Sequence, residues 1–140
     1  MPENDPVPGS CLCGGVRFEL TPPFELASYC HCEYCRKHSG NFGSVSMEVP
    51  REQMRLLSGE ELLESWQPAP GLVIRVFCRR CGSGVYGIDE PESETIWVRM
   101  SALDADPGVR PSRHTWVSSA PAWFPVPEDG LPRYEQRPTS

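Results

Sequence analysis

Short runs in which apolar and polar residues alternate recur along the chain, and this period of two is typical of half-buried β-strands. The first run covers residues 16–20 and ends at the Pro22-Pro23 pair. Later runs rich in apolar, β-branched or aromatic residues predict strands over 42–49, 62–66, 72–77, 84–88, 95–100 and 114–117. One helical turn is expected over 51–54, directly after Pro50. The pattern therefore predicts a mainly β fold.

Long helices are not expected. The best stretch with a period of about 3.6 residues is 51–64, and Ser58 and Gly59 interrupt it. The 140 residues include 16 Pro and 12 Gly, which favour tight turns over helix interiors. A chain of this length buries one core and is too short for two. We therefore expect a single domain.

The domain is expected to occupy residues 9–134. Residues 1–8 are polar and rich in proline, which predicts a disordered lead-in, and 135–140 form a C-terminal tail. Proline recurs from Asp104 onward, so this third of the chain is expected to run over the sheets as an extended strap. Three aromatic residues, Trp116, Trp123 and Phe124, are expected to attach the strap to the sheets. These aromatic residues also fit a homodimer contact.

Charge and apolar content narrow the classes of partner. The chain has 13 Lys and Arg against 19 Asp and Glu, a formal net charge of −6. A nucleic-acid partner is not expected, because such proteins carry a basic face. No stretch approaches the roughly 18 apolar residues of a membrane span, and the N-terminus lacks the pattern of a signal peptide. We expect a cytoplasmic protein without a membrane partner.

The cysteines are the strongest chemical signal in the sequence. There are seven, an odd number that excludes complete pairing in intramolecular disulfides, and the reducing cytoplasm disfavours disulfides in any case. They fall in three clusters, Cys11-x-Cys13, Cys30-x-Cys32-x-x-Cys35 and Cys78-x-x-Cys81. Seven thiols with such spacing favour metal binding over the burial of small hydrophobic residues.

The spacing favours a division into four ligands and three. Residues two apart on an extended segment face one side, so Cys11 and Cys13 can grip one ion together. Cys78 and Cys81 have the spacing of a zinc knuckle and supply the other half of a tetrahedral site. The third cluster then keeps an open position. Spacing alone does not exclude a different site, in which Cys30 and Cys32 pair with the knuckle. A redox role for Cys78-x-x-Cys81 is also possible, but it would need a βαβ context that this segment lacks.

The histidines allow several readings. His31 stands between two predicted ligands, so on an extended segment its side chain points away from the metal. It then contacts the ligands from outside, faces substrate, or packs as an ordinary histidine. His38 is a candidate fourth ligand that would close the three-cysteine site. His114 is interpreted as a strand residue.

These motifs resemble the family of glutathione-dependent formaldehyde-activating enzymes, which is grouped with centromere protein V. The likeness rests on the segments 9–18, 30–37 and 77–83, on Ser101-Ala102-Leu103-Asp104, and on tail segments that include His114-Thr115-Trp116-Val117 and Trp123-Phe124. It implies an Mss4-like fold of several small antiparallel sheets with two zinc sites. The resemblance implies a structural zinc held by Cys11, Cys13, Cys78 and Cys81, and a catalytic zinc held by Cys30, Cys32 and Cys35.

The activity that the resemblance implies is carbon–sulfur bond formation between glutathione and formaldehyde, classed as a lyase in the reverse direction. A zinc ion with three thiolates and an open position suits thiol activation. Arg36 and Lys37 follow the cluster directly and are candidates to bind a glutathione carboxylate, and Glu33, Tyr34 and His38 are candidates to move the proton. Two alternatives remain: a zinc-stabilised interaction module without activity, and an enzyme that uses another thiol or electrophile.

Overall fold

The computed structural model describes residues 4–138, which fold into ten strands and one α-helix. The strands are β1 Val7–Ser10, β2 Arg17–Leu20, β3 Ala27–Cys30, β4 Ser44–Pro50, β5 Met54–Ser58, β6 Leu63–Trp66, β7 Ile74–Cys78, β8 Gly84–Ile88, β9 Thr95–Arg99 and β10 His114–Thr115. The helix α1 spans Glu33–Ser39. Short 3₁₀ helices cover Arg51–Gln53, Glu60–Leu62, Met100–Ala102 and Val117–Ser119.

The strands form two sheets. A three-stranded antiparallel sheet has the order β1-β2-β5, and a seven-stranded sheet has the order β10-β3-β4-β9-β8-β7-β6. Every pairing in the larger sheet is antiparallel except the short parallel pairing of β10 with β3. Alternate residues of the strands, such as Phe18 and Leu20 of β2 and Val98 of β9, are fully buried in one common core. The mainly β fold expected from the sequence is confirmed.

The seven strands predicted from alternation all have a counterpart within a few residues, and the turn after Pro50 is the 3₁₀ helix Arg51–Gln53. Three strands and the helix were not predicted. Strand β5 lies inside the stretch 51–64, the best candidate for a helix, and α1 begins directly after the extended segment that carries Cys30 and Cys32. Both are short segments in which tertiary contacts outweigh the local pattern.

The lead-in expected over residues 1–8 is shorter than predicted. Strand β1 begins at Val7, which is buried and pairs with Leu20. Pro8 is compatible with this strand because β1 lies at the edge of its sheet, where a missing N–H donor costs little. Residues 1–3 lie outside the described residues.

The C-terminal strap follows the edge of the larger sheet through backbone hydrogen bonds. The backbone N–H of Tyr29 donates to Arg113 O at 3.0 Å, and that of His31 donates to Thr115 O at 3.0 Å. Bonds continue into the predicted tail, since Trp116 N–H donates to Gln136 O at 3.1 Å. Of the three aromatic residues expected to attach the strap, Phe124 stacks on Phe42 with ring centroids 4.7 Å apart, whereas Trp123 is 65% exposed.

Three polar side chains, two of them buried histidines, also attach the strap. His114 Nε2 lies 2.8 Å from Asp129 Oδ2, and His114 Nδ1 lies 2.9 Å from His31 Nε2. Both imidazoles are 1% exposed, and Tyr29 stacks on His114 with ring centroids 4.7 Å apart. Since a carboxylate only accepts, His114 Nε2 is the donor to Asp129. His31 is thereby fixed next to Cys30 and Cys32 by a contact with the strap.

None of the helices within residues 4–138 is long and apolar enough to cross a membrane.

We expect Asp129→Ala to destabilise the fold more than Asp129→Asn, whose amide oxygen still accepts from His114. A buried donor that loses its acceptor costs about 1–3 kcal/mol of unfolding free energy. Urea unfolding at pH 7 measures the difference, with Asp106→Ala, which removes an exposed ion pair with Arg110, as the control. Equal urea midpoints for Asp129→Ala and Asp129→Asn, or for Asp129→Ala and Asp106→Ala, would contradict the prediction.

The contact between His114 and Asp129 also predicts that the stability of the fold depends on pH. The hydrogen bond from His114 lowers the pKa of Asp129 below its usual value. A lowered pKa means that the ionised carboxylate contributes stability above about pH 3.9, the unfolded value, and that this contribution disappears as the pH falls through the folded value. We therefore expect the stability difference between the wild type and Asp129→Asn to shrink below about pH 4.

Candidate metal centres

Four cysteines from two distant loops form the first cluster. Cys11 and Cys13 lie in the loop between β1 and β2, while Cys78 ends β7 and Cys81 lies in the turn before β8. Their four sulfur atoms lie within 4.8 Å of one another. The cluster therefore joins the three-stranded sheet to the seven-stranded sheet.

Hydrogen bonds hold the two loops of this cluster in place. Leu12 N–H donates to Ser83 Oγ at 2.8 Å, and Val16 N–H donates to Cys11 Sγ at 3.2 Å. The turn of the knuckle is closed by Gly82 N–H, which donates to Cys78 O at 2.7 Å, and Gly82 has a φ of 80°, a conformation that favours glycine. The sequence reading of Cys78-x-x-Cys81-Gly82 as a tight knuckle agrees with this turn.

The four thiols have different electrostatic surroundings. A hydrogen bond from the Ser83 hydroxyl lowers the pKa of Cys81 to about 5. The backbone N–H of Gly15 and the Arg80 guanidinium, whose Nε lies 3.2 Å from Cys13 Sγ, lower the pKa of Cys13. Burial raises the pKa of Cys78. N–H and O–H donors therefore already surround sulfur atoms of this cluster and favour thiolates there.

The second cluster combines the end of a strand with the start of the helix. Cys30 is the last residue of β3, Cys32 is the N-cap of α1, and Cys35 lies in the first turn of α1. The cap is made by sulfur, because Cys35 N–H donates to Cys32 Sγ at 3.3 Å. All three sulfur atoms lie within 4.8 Å of one another. The grouping of four and three cysteines agrees with the division that the spacing favoured, and Cys30 and Cys32 do not join the knuckle.

The three thiols of the second cluster are strongly coupled. Hydrogen bonds from the Cys30 and Cys32 thiols lower the pKa of Cys35, and Ser44 and the nearby Arg99 add to this effect. Conversely, the pKa of Cys30 is raised, chiefly by its interaction with Cys32 and Cys35. The three thiols therefore do not titrate independently of one another.

The spacing of the sulfur atoms fits a tetrahedral metal ion. Metal–sulfur bonds of about 2.3 Å, the value for zinc, imply sulfur atoms about 3.8 Å apart at the corners of a tetrahedron. In the first cluster Cys11 and Cys13 Sγ are 3.5 Å apart, and Cys13 and Cys78 Sγ are 3.9 Å apart. Four thiols supply a complete coordination shell and three leave one position open. Both donor sets therefore fit a thiophilic metal ion.

No fourth ligand accompanies the three sulfur atoms within residues 4–138. No histidine nitrogen or carboxylate oxygen of these residues joins the group of mutually close donor atoms. His38, the candidate from the sequence, lies against Phe77 with ring centroids 5.9 Å apart and near Gly84. Burial and the charges of Arg75 and Arg99 lower the pKa of His38.

Two arginines next to the second cluster were missed in the sequence analysis. Arg75 of β7 is 3% exposed, and its Nη2 donates to Cys35 Sγ at 3.4 Å. Arg99 of β9 donates from Nη1 to Ser46 Oγ at 2.6 Å. Burial lowers the pKa of Arg99, and the negative charge of Cys35 opposes this effect. A signal was present in the sequence, because both arginines interrupt otherwise apolar runs, 72–77 and 95–100.

The predicted substrate contacts lie on the last turn of α1. Lys37 Nζ is 3.0 Å from Glu33 Oε1, and both side chains are mostly exposed. Arg36 is half-buried, and its Nε has no hydrogen-bond partner within the described residues. Tyr34 is 45% exposed, and the Arg75 guanidinium carbon lies 5.9 Å from the centre of its ring. Basic and aromatic groups therefore line the helix beside the three sulfur atoms.

Comparisons with known proteins agree with this geometry. A family model described as "Glutathione-dependent formaldehyde-activating enzyme" matches residues 6–119, which include all seven cysteines. A relative from Halomonas elongata is 30% identical over 127 residues, covering 84% of this chain and 79% of the relative. One from Colletotrichum graminicola is 35% identical over 63 residues, covering 44% of this chain and 32% of the relative. Both carry the name "Putative glutathione-dependent formaldehyde-activating enzyme".

The fold also matches a solved structure. A crystal structure of a Rhodobacter sphaeroides protein aligns with a TM-score of 0.57 and 27% sequence identity, covering 74% of this chain and 91% of that one. The cysteine geometry, the family match and the relatives point to one conclusion. The chain belongs to the family of glutathione-dependent formaldehyde-activating enzymes.

Proposed function

We propose that this protein is a zinc-dependent enzyme that forms a carbon–sulfur bond between the thiol of glutathione and formaldehyde, giving S-hydroxymethylglutathione, and that breaks this bond in the reverse, lyase direction. The observation that carries the proposal is the cluster of Cys30, Cys32 and Cys35, three convergent sulfur atoms with no fourth donor in the described part of the chain. An incomplete shell of ligands distinguishes catalytic zinc sites from structural ones. The family and the names of the relatives support the choice of thiol and aldehyde.

The two clusters are proposed to have different roles. Cys11, Cys13, Cys78 and Cys81 hold a structural zinc that joins the loops of the two sheets. Cys30, Cys32 and Cys35 hold the catalytic zinc. When bound by three thiolates, a zinc ion keeps an open position at which an incoming thiol loses its proton near neutral pH.

The residues around this position have separate tasks in the addition step. The glutathione sulfur forms a bond to the carbonyl carbon, the π pair of the C=O bond moves to the oxygen, and the oxygen takes up the proton that the thiol released. Glu33, Tyr34 and His38 are the candidates to carry that proton. His38 suits the task best, because its lowered pKa keeps the imidazole neutral and able to accept a proton, whereas Glu33 is paired with Lys37.

Arg36 and Lys37 are proposed to bind a carboxylate of glutathione. Both residues follow Cys35 directly on α1, and Arg36 is half-buried, with no hydrogen-bond partner for its Nε within the described residues. Arginine suits a carboxylate because its planar guanidinium donates two parallel hydrogen bonds. Lys37 would have to exchange its ion pair with Glu33, which costs little at an exposed position.

Cys32→Ser tests the catalytic assignment. We expect the enzymatic rate of adduct formation from glutathione and formaldehyde to fall at least about 100-fold, because loss of even an indirect partner of a metal ligand costs about 10–100-fold. The adduct is followed by NMR with ¹³C-formaldehyde, and the uncatalysed rate is subtracted. Ser65→Ala, on the exposed edge strand β6, is the matched control and should react at the wild-type rate.

The result also separates the alternatives. Wild-type protein with two bound zinc ions that never exceeds the uncatalysed rate would contradict the enzyme and favour an interaction module. A rate that depends on Cys32 with another thiol or aldehyde, and not with glutathione and formaldehyde, would keep the site and change the substrate.

Removing one ligand from each cluster tests the division into structural and catalytic sites. We expect Cys78→Ser to unfold much of the domain, since structural zinc binding contributes about 10 kcal/mol or more in small modules and whole-domain stability is about 5–15 kcal/mol. Cys35→Ser should keep the fold with one zinc ion per chain. Circular dichroism, urea unfolding and zinc content measure both variants, and equal stability of the two would contradict the division.

A further inference from the structure

Arg75 and Arg99 place two positive charges at the three-cysteine cluster without an acidic partner. Within residues 4–138, neither arginine has a carboxylate oxygen within 4.0 Å, whereas Arg55 and Arg110 both pair with acids at the surface. Guanidinium groups stay protonated in proteins. A buried charge is costly unless an opposite charge or a full set of hydrogen bonds compensates it. The compensation for these two arginines has to come from the cluster itself.

The packing fixes both guanidinium groups. Arg75 is only 3% exposed, and its buried Nε has no hydrogen-bond partner within the described residues. Its Nη2 donates to Cys35 Sγ, and its Nη1 lies 3.4 Å from Val73 O. Arg99 is held by Ser46, and a Cβ added at Gly87 would lie only 3.3 Å from Arg99 Nη2. The absence of a side chain at position 87 leaves the room that this guanidinium occupies.

The formal charges of the cluster, a divalent ion and the two arginines can be summed. Three thiolates and one divalent ion carry a single net negative charge, and the two arginines turn it into a single net positive charge. A neutral fourth ligand, such as water or an imidazole, leaves that positive charge buried and uncompensated. A thiolate in the same position makes the sum zero.

Other charged groups near the cluster do not change this balance. Lys37 is exposed and paired with Glu33, and Arg36 is only half-buried, so water reaches part of its side chain and screens its charge more than that of Arg75. His38 is neutral because burial and the two arginines disfavour its protonated form.

We propose that Arg75 and Arg99 are specificity-determining residues that make the open position of the three-cysteine centre select an anionic ligand, a thiolate, over neutral ligands. The inference rests on the proposed function and deepens it, because it identifies the source of the preference for a thiol. Arg75 acts by its hydrogen bond to Cys35 and by its charge, and Arg99 acts by its charge alone.

The test compares an anionic ligand with a neutral one on the zinc-loaded full chain. The anionic probe is 2-mercaptoethanol, an uncharged thiol that binds as a thiolate with release of a proton and lacks the carboxylates of glutathione. The neutral probe is imidazole. Isothermal titration calorimetry in two buffers of different ionisation enthalpy gives both the Kd and the number of protons released.

We expect Arg75→Gln and Arg99→Gln each to weaken thiol binding about tenfold or more, as for loss of one unit charge about 10 Å away at an effective dielectric constant of about 20. Binding of imidazole should change by less than about twofold, since a neutral ligand does not respond to the lost charge. Arg75→Lys, which keeps the charge, should recover most of the thiol affinity. Arg55→Gln is the matched control, because Arg55 is exposed and lies on β5 in the smaller sheet.

The outcomes separate this inference from the proposed function. Unchanged thiol binding in both glutamine variants, or an equal loss for thiol and imidazole, would overturn the role of the arginines while wild-type thiol binding still supports the enzyme. A wild-type centre that binds imidazole and not the thiol would overturn both. If Arg75→Gln does not fold, Arg99→Gln decides, because the Arg99 side chain is less deeply buried.

Discussion

The convergence of four cysteine sulfur atoms between two loops is the contact on which the rest of the structure depends. The β1–β2 loop carries Cys11 and Cys13, and the β7–β8 turn carries Cys78 and Cys81, so the cluster closes a contact between segments about half a chain apart. Closing a loop of this length costs considerable chain entropy, and a single weak hydrogen bond does not offset it. The hydrogen bonds from Leu12 N–H to Ser83 Oγ and from Gly82 N–H to Cys78 O fix the two loops, and Arg80 donates to Cys13 Sγ, which favours a thiolate there. A bound metal ion at this place would stabilise both sheets at once.

The position of the second cluster follows from that arrangement. Strand β7, which the first cluster anchors at Cys78, carries Arg75 three residues earlier, and β7 and β8 connect to β9, which carries Arg99. The thiols themselves come from the other end of the sheet order, from the end of β3 and the start of α1. The three-cysteine centre is therefore assembled across the larger sheet, with sulfur atoms from β3 and α1 and positive charges from the middle strand β9 and from β7. The strap adds a further constraint, because the contact of His114 with His31 holds the residue between Cys30 and Cys32.

The parts of this arrangement that could be predicted from sequence are those that depend on local spacing. The strands with strong alternation, the knuckle at Cys78 and Cys81, and the favoured grouping of the cysteines all reflect periods and offsets of a few residues. The parts that could not be predicted depend on long-range contacts. Helix α1 begins at Glu33 and is capped by the sulfur atom of Cys32, an uncommon cap in place of the usual oxygen. The pairing of Asp129 with His114 joins residues whose types alone suggest exposed turn and strand.

The arginines change the chemistry inferred from the cysteines alone. Three thiolates and a divalent ion suggest an electron-rich centre with a negative charge, at which a second anion would be repelled. With Arg75 and Arg99 included, the same centre is positive by one charge and attracts that anion. The four-cysteine cluster shows the contrast, because its arginine, Arg80, is exposed and solvent screens its charge. The two clusters share one type of donor atom, so they differ in the number of sulfur atoms and in the burial of the neighbouring charge, and the proposed division into a structural and a ligand-binding site rests on these two differences.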